Sequence, residues 1–320
     1  MQRRNLLVGS LASGVAMGGL PPVAHAGPEA PPLLVDQWLN GRTLDVASLR
    51  GKVSLITFWT YSCINALRTL PYLRRWDEEY GLAGLQIVGI HTPEFEFEHL
   101  RPYVEHAVRE LDIRFAVGMD NGYRTWGAWQ NRAWPSFYIV DREARIVLFR
   151  EGEGHSMELE GSIRRLLGLS PTLAQRQPPD DADLSRIRSP EVYFGALRPT
   201  PQEPSQSPRW GDAVYSFSQA GPRLNYYELD GLWARDRETL TLRSGRGRLR
   251  MRYSAAKVHF VAGAEQGVVL RIVRGSHHQH EIQIARPTLY TIVNGNSYGE
   301  QLVEIEVTSP GLVLYSATFG

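Results

Sequence analysis

The run Ser54-Leu55-Ile56-Thr57-Phe58-Trp59-Thr60-Tyr61-Ser62-Cys63-Ile64-Asn65-Ala66-Leu67-Arg68-Thr69-Leu70-Pro71 decides how the rest of the chain is read. Its apolar β-formers (Leu55, Ile56, Phe58, Trp59) give way to a polar turn at Thr60 to Ser62. Cys63 comes next, followed at once by the helical spacing of Leu67, Leu70, Leu73 and Trp76. A strand that ends in a cysteine with a helix starting on it favours thiolate over thiol. The unpaired N–H groups and partial positive charge of the helix start stabilise a negative sulfur. Cys63 is the one cysteine in 320 residues, and three residues further on stands Ala66. Pro71 predicts a kink in a helix running from about Cys63 to Tyr80.

Working outward, a chain of this length favours two domains over one core. Hydrophobic content of 42%, charged content of 22% and a net charge of +1 are those of a globular protein without a broad nucleic-acid surface. After the N-terminus no apolar run reaches the roughly 18 residues a spanning helix needs, so no membrane span is expected once the leader is removed. The leader itself, residues 1–26, reads as an export signal. Arg3-Arg4 precede the small, apolar stretch Leu6 to Leu20, and Ala24-His25-Ala26 forms a cleavage pattern before Gly27. Arg3-Arg4-Asn5-Leu6-Leu7 also fits a twin-arginine signal. The expected location is the periplasm or extracytoplasmic space of a bacterium. An unpaired cysteine there suggests a free reactive thiol or intermolecular pairing.

Further along, Leu33-Leu34-Val35 and Leu44-Asp45-Val46 read as short strands around an Asn40-Gly41 turn, and Val53 to Trp59 as a strong buried strand. Strands at Leu85 to His91, Phe115 to Met119, Ser136 to Val140 and Arg145 to Arg150 alternate with helical patterns at Glu98 to Leu111, Tyr123 to Asn131 and Met157 to Leu167. Alternation of this kind implies parallel βαβ units with a late antiparallel hairpin, an α/β domain over residues 32–168. Residues 169–210 are dense in proline and read as a connector in which Glu191 to Gly195 docks on a domain. From 211 to 320, ten short β-rich runs without a helix predict a β-sandwich of jelly-roll type.

With the motif, its proline-bearing helix and the strand order in view, the first domain resembles the thioredoxin superfamily, in particular the exported TlpA/ResA-like redoxins. The resemblance is closest to DipZ-type proteins, which read F-W-T-Y-S-C-I-N-C-x-R-T-L-P-Y-L where this chain has Phe58 to Leu73. Gly89-Ile90-His91-Thr92-Pro93-Glu94-Phe95, Asp120-Asn121 and Trp134-Pro135 extend it. Pro190 to Gly195 and the ending Tyr315 to Gly320 look like the β-sandwich that follows thioredoxin in that family. The resemblance implies that Cys63 is the attacking thiol and that Pro135 is a cis-proline facing it. It also implies that Trp59, Tyr61, Ser62, Ile64, Asn65, Trp134 and Pro135 line the substrate site. Two departures stand out. Ala66 occupies the position of the resolving cysteine, and Thr57 that of a buried acid which assists it.

Disulfide exchange begins with attack of a thiolate on a disulfide sulfur, giving a mixed disulfide. With Ala66 the internal resolving step is lost, so a thiol of the substrate, a small thiol or a partner protein must finish the exchange. The expected partners are therefore cysteine-containing proteins or small thiols of the cell envelope, with no cofactor, no metal and no nucleic acid. Two other readings stay open. One is a redox-inactive peptide- or carbohydrate-binding protein that keeps the fold; the other is a dithiol enzyme whose second cysteine has been replaced. A peroxidase lacks support, because Ser62-Cys63-Ile64 has no Thr/Pro arrangement before the cysteine.

Three further features stand against blander accounts. Glu94, Glu96 and Glu98 follow His91 at a strand end, where α/β sites lie, and Glu94 is the candidate proton carrier beside Cys63; otherwise they form a solvated acidic loop. His277-His278-Gln279-His280 has metal-ligand residues at alternate positions, but no carboxylate or cysteine beside it completes a site. Trp210, Tyr226, Tyr227 and Trp233 are a candidate stacking platform for a carbohydrate or peptide at the C-terminal domain, set against their ordinary place in a sandwich core.

Overall fold

The computed structural model describes residues 27–41, 43–170, 182–198, 201–274 and 277–320, the side chains of 274–279 excepted. The export signal and much of the proline-rich connector lie outside the described residues, as do the side chains of His277, His278 and Gln279.

The first domain is a thioredoxin-like fold. Its strands are β1 (Gln37–Leu39), β2 (Val53–Trp59), β3 (Leu85–His91), β4 (Ala116–Met119), β5 (Ser136–Val140) and β6 (Ile146–Glu151), in the order β1-β4-β3-β2-β5-β6. β2, β3 and β4 run parallel, whereas β1, β5 and β6 join antiparallel. Every residue of β2 is buried. That explains its unbroken run of apolar residues, since a central strand covered on both faces has no polar side.

Around the sheet lie α1 (Ile64–Leu67), α2 (Leu70–Tyr80), α3 (Arg101–Glu110), α4 (Arg124–Ala128) and α5 (Ser156–Leu167). The helix expected from Cys63 to Tyr80 is thus two helices and not one with a kink. Pro71 sits in the first turn of α2, where its missing N–H breaks no helical bond, so the chain restarts there. Leu70, Leu73, Trp76 and Tyr80 form the buried face of α2, each large side chain contributing about 1.5–3 kcal/mol by leaving water. The strands expected at 33–35 and 44–46 are absent. Leu33 is buried without ladder pairing, and Asp45 caps a 3-10 turn at Val46–Leu49 through Ser48 N–H at 2.8 Å.

The strand ladders of the second domain are all antiparallel among the described residues. β7 (Val192–Tyr193) belongs to the connector, and then come β8 (Gly211–Tyr215), β9 (Tyr227–Arg235), β10 (Leu240–Leu242), β11 (Gly247–Ser254) and β12 (Lys257–Gly263). β13 (Val268–Arg274), β14 (His277–Ile284), β15 (Thr288–Asn294), β16 (Glu300–Val307) and β17 (Val313–Phe319) complete it. The ladder runs β14-β13-β16-β11-β9-β10-β17-β12-β15 and curls until it is nearly barrel-shaped. β9 makes the corner: residues before Gly231 pair with β11 and those after it with β8 and β10. Gly231 has φ +106, and a Cβ there would meet the Arg246 carbonyl oxygen at 2.9 Å, so only glycine fits the bend. One core fills the interior, built on Tyr227, Trp233, Tyr253, Phe194 and Phe260. Tyr227 and Trp233 are therefore core residues, and the four-aromatic platform expected from sequence does not form; Trp210 alone of the four is exposed. Among the described residues no helix is long and apolar enough to cross a membrane.

The two domains share an apolar contact. Tyr315 of β17 packs on Phe95 and Phe97 at ring separations of 5.3 and 4.7 Å, and Val261 of β12 joins the thioredoxin-side core.

Candidate active site

Strand β2 delivers the turn Thr60–Ser62 to the C-terminal edge of the sheet, and α1 begins one residue after Cys63. Cys63 is half-buried, and its Sγ lies 3.8 Å from the Trp134 carbonyl oxygen. The Trp134–Pro135 peptide, in the loop before β5, is cis. Ile64, Asn65 and Trp134 are half-buried around it, whereas Trp59, Tyr61, Ser62 and Pro135 are buried. The first group borders the opening; the second forms its floor. Ala66 is buried in the first turn behind Cys63. Thr57 is buried in mid-strand, its hydroxyl without a partner among the described residues.

The floor is a closed polar network around Glu98, a residue whose signal in the sequence was diluted by the neighbouring acids Glu94 and Glu96. Oε1 of Glu98 accepts from the hydroxyls of Thr60 and Ser62, the latter at 2.6 Å. Oε2 accepts from the backbone N–H groups of Glu94 (2.5 Å) and Phe95 (3.1 Å). Burial pushes the Glu98 carboxyl up to about 7 in spite of those donors. His91 lies alongside, stacked on Tyr61 at 5.6 Å and 3.4 Å from the Thr60 hydroxyl. Burial pushes it down to about 3, which keeps the ring neutral. Glu98 thus pins the turn that carries Cys63.

Glu94 points the other way, toward the second domain. Its Oε1 accepts from the Tyr193 hydroxyl at 2.7 Å and from Arg198 at 2.8 Å. On the opposite side Arg68 of the active-site turn makes a two-pronged pair with Glu153 (2.7 and 2.6 Å). It also bonds Asn65 at 2.8 Å and reaches the Phe319 carbonyl at 3.5 Å. Between these anchors a cleft of about 290 Å³ opens beside α1, lined by Asn65, Arg68, Glu153, Ser189, Glu191 and Phe319. The C-terminal domain therefore walls α1 on one side.

The surroundings of Cys63 reverse the expectation of an acidified thiol. Burial pushes the Cys63 thiol well up, and the carboxylates of Glu94 and Glu191 add to it. The N–H groups of Ala66 and Asn65 offset this only in part. A helix of four residues carries too small a dipole to win. Alkylation of Cys63 by iodoacetamide is accordingly expected to be slower at pH 7 than for an ordinary thiol of pKa about 8.5, and to keep rising beyond pH 9. A plateau below pH 8 contradicts this.

Residues 26–149 match the AhpC/TSA family, and residues 189–320 match the thioredoxin like C-terminal domain. Protein DipZ of Mycobacterium bovis is 32% identical over 294 residues, which cover 88% of this chain and 41% of that protein. The thiol-disulfide oxidoreductase ResA of Bacillus cereus is 26% identical over 140 residues, 44% of this chain and 78% of that protein. A thiol-disulfide isomerase structure from Corynebacterium glutamicum is 25% identical with a TM-score of 0.39, covering 44% of this chain and 98% of that one. The chain spans 41% of the length of the DipZ relatives.

Proposed function

We propose that this chain, which joins an AhpC/TSA-type thioredoxin-like domain to the antiparallel β domain that matches the family described as thioredoxin like C-terminal domain, carries out thiol–disulfide exchange outside the cytoplasm through the single thiol of Cys63. The observation that carries the reading is Cys63 at the head of β2's turn, its sulfur facing the Trp134 carbonyl and the neighbouring proline. A disulfide-bearing peptide laid along that loop can hydrogen-bond to its backbone while one of its sulfurs meets Cys63. Ile64, Asn65 and Trp134 flank such a peptide. Trp59, Tyr61 and Ser62 hold the turn from beneath.

The Cys63 thiolate attacks, forms a mixed disulfide and expels the partner's second sulfur. Because position 66 has a methyl group and no sulfur, nothing within the turn can expel the partner. Release needs the substrate's own second thiol, giving isomerisation, or a small thiol, giving reduction. The export signal read in residues 1–26 supports an oxidising compartment where such substrates occur.

In an insulin-reduction assay with glutathione, the protein is expected to accelerate the reaction and Cys63→Ser to return it to the uncatalysed rate. Equal rates for the two would support a redox-inactive peptide-binding protein in its place.

A further inference from the structure

We infer that the C-terminal domain is a working part of the Cys63 site, with Tyr315 and Glu238 as positioning residues. They hold the segment 94–98 in place, and through Glu98 that segment holds the turn that carries the thiol. This rests on the exchange reading above, which supplies the reaction served, and extends it to groups outside the thioredoxin-like domain.

The segment 94–98 follows β3, whose last ladder residue is His91. Beyond it the chain forms only one 3-10 turn, Glu96–His99. The bonds in it run from Glu98 N–H to the Phe95 carbonyl at 3.0 Å and from Leu100 N–H to the Phe97 carbonyl at 3.3 Å. A single turn of this kind is not stable by itself, because each bond fixes several dihedral angles. Its conformation is set by what it touches.

What it touches is the second domain, at four residues in succession. The Glu94 carboxylate accepts from the Tyr193 hydroxyl at 2.7 Å and from Arg198 at 2.8 Å. The Phe95 ring lies 5.3 Å from that of Tyr315. Glu96 N–H donates to Glu238 Oε2 at 3.0 Å. The Phe97 ring meets Tyr315 edge to face at 4.7 Å. The fifth residue, Glu98, turns the other way and accepts from the Thr60 and Ser62 hydroxyls. Phe97 reaches the same turn by a second route, packing edge-on against Tyr61 at 6.0 Å.

The groups that do the holding sit on a packed frame. Tyr315 belongs to β17, which is hydrogen-bonded between β10 and β12, and its neighbours Leu314, Ala317 and Phe319 lie in the core of the second domain. Tyr193 is on β7, paired to β17 opposite Ser316. Glu238 stands in the turn between β9 and β10. Side chains carried by strands of a packed core place a site more precisely than a loop can. Precision matters here, since a displacement of about 1 Å can cost on the order of a hundredfold in rate.

Tyr315→Ala removes two of the four holds. It leaves in the chain Cys63, Glu98 and the two carboxylates that raise the thiol, Glu94 and Glu191. Exchange with insulin and glutathione is expected to fall by about tenfold or more, because the sulfur loses its position. Iodoacetamide, which needs no docked partner, is expected to alkylate the variant faster at pH 7, with the pH profile moved to lower pH. Burial is the main influence that pushes the thiol up, and a loosened turn admits water. Tyr315→Phe keeps the ring and is expected to match wild type in both assays. Should Tyr315→Ala fail to fold, Glu238→Ala carries the test. It removes the acceptor of the Glu96 N–H, and exchange is expected to fall about threefold with the same rise in alkylation. A folded variant that keeps wild-type exchange and alkylation, or in which the two fall together, overturns the inference. Wild-type exchange no faster than Cys63→Ser overturns the exchange reading instead, and the alkylation profiles then decide by themselves whether the second domain positions the thiol.

Discussion

Replacing Glu98 by alanine is expected to destabilise the fold by about 3–5 kcal/mol, because it strands four buried donors at once. The hydroxyls of Thr60 and Ser62 and the N–H groups of Glu94 and Phe95 all converge on this carboxyl. Glu98 is fully buried, so bulk solvent does not touch these donors. Glu98→Gln is the instructive contrast. Its amide oxygen can accept the two backbone N–H groups while its NH2 donates to the two hydroxyl oxygens, which turn their own protons elsewhere. That variant is expected to lose about 1 kcal/mol or less.

The two variants also differ in pH response. The folded protein binds the Glu98 proton more tightly than the unfolded chain does, with a carboxyl at about 7 against 4.5. Its contribution is fully present below about pH 4.5 and is lost as pH rises toward 7, a fall of about 3 kcal/mol if nothing else titrates. Denaturant unfolding at pH 4.5, 6 and 8 reads the slope directly: wild type should weaken by this amount and Glu98→Gln should not. Parallel curves for the two would show that the carboxyl stays ionised throughout.

Ala66→Cys is expected to change the chemistry as deeply as Glu98→Ala changes the stability. Position 66 lies one turn on from Cys63, and the Leu67 N–H bonds back to the Cys63 carbonyl at 3.0 Å, so the two sulfurs share one face of that turn. A thiol held there resolves the mixed disulfide internally, with an effective concentration far above any external thiol. Release of the bound substrate should quicken roughly a hundredfold or more. The product is a 63–66 disulfide, seen by mass spectrometry as loss of two hydrogens. Because Ala66 is buried and Thr57 supplies no carboxylate behind it, the new thiol should itself react slowly with iodoacetamide. A variant that still accumulates the mixed disulfide would show that the turn cannot bring the sulfurs together.

Much of this architecture was legible in the residues. The buried run Val53 to Trp59, the turn to Cys63 and the ten β-rich segments after Trp210 carry strong local patterns; the first appears with the same ends and the β-rich segments with shifted ones. Local pattern failed where a single residue rules the backbone. Pro71 starts a helix here and does not bend one, and Asp45 caps a turn in a stretch that alternates like a strand.

The site was legible only in part, for a different reason. Cys63 stood out at its strand–helix junction, and the resemblance to thioredoxin-type proteins marked Ala66 and Pro135, but the groups that set the thiol's acidity come from 31 to 128 residues further along the chain. Tyr193 is set against Glu94, and Glu191 beside it, by the docking of β7 on β17, which no periodicity announces. Among Glu94, Glu96 and Glu98, spacing cannot tell which is buried, which is ion-paired to Arg198 and which is solvated. The helix-start argument for a low thiol pKa failed because it counted only the local dipole and omitted burial and two distant carboxylates.

The central claim is that Cys63 opens an exchange it cannot close alone. Incubating the protein with glutathione disulfide, then quenching in acid and weighing it by mass spectrometry, tests that claim most directly. The account predicts one glutathione adduct, located on Cys63, that persists until a thiol is added and is then released in full. A protein that stays unmodified under conditions that modify ordinary thiols would contradict it.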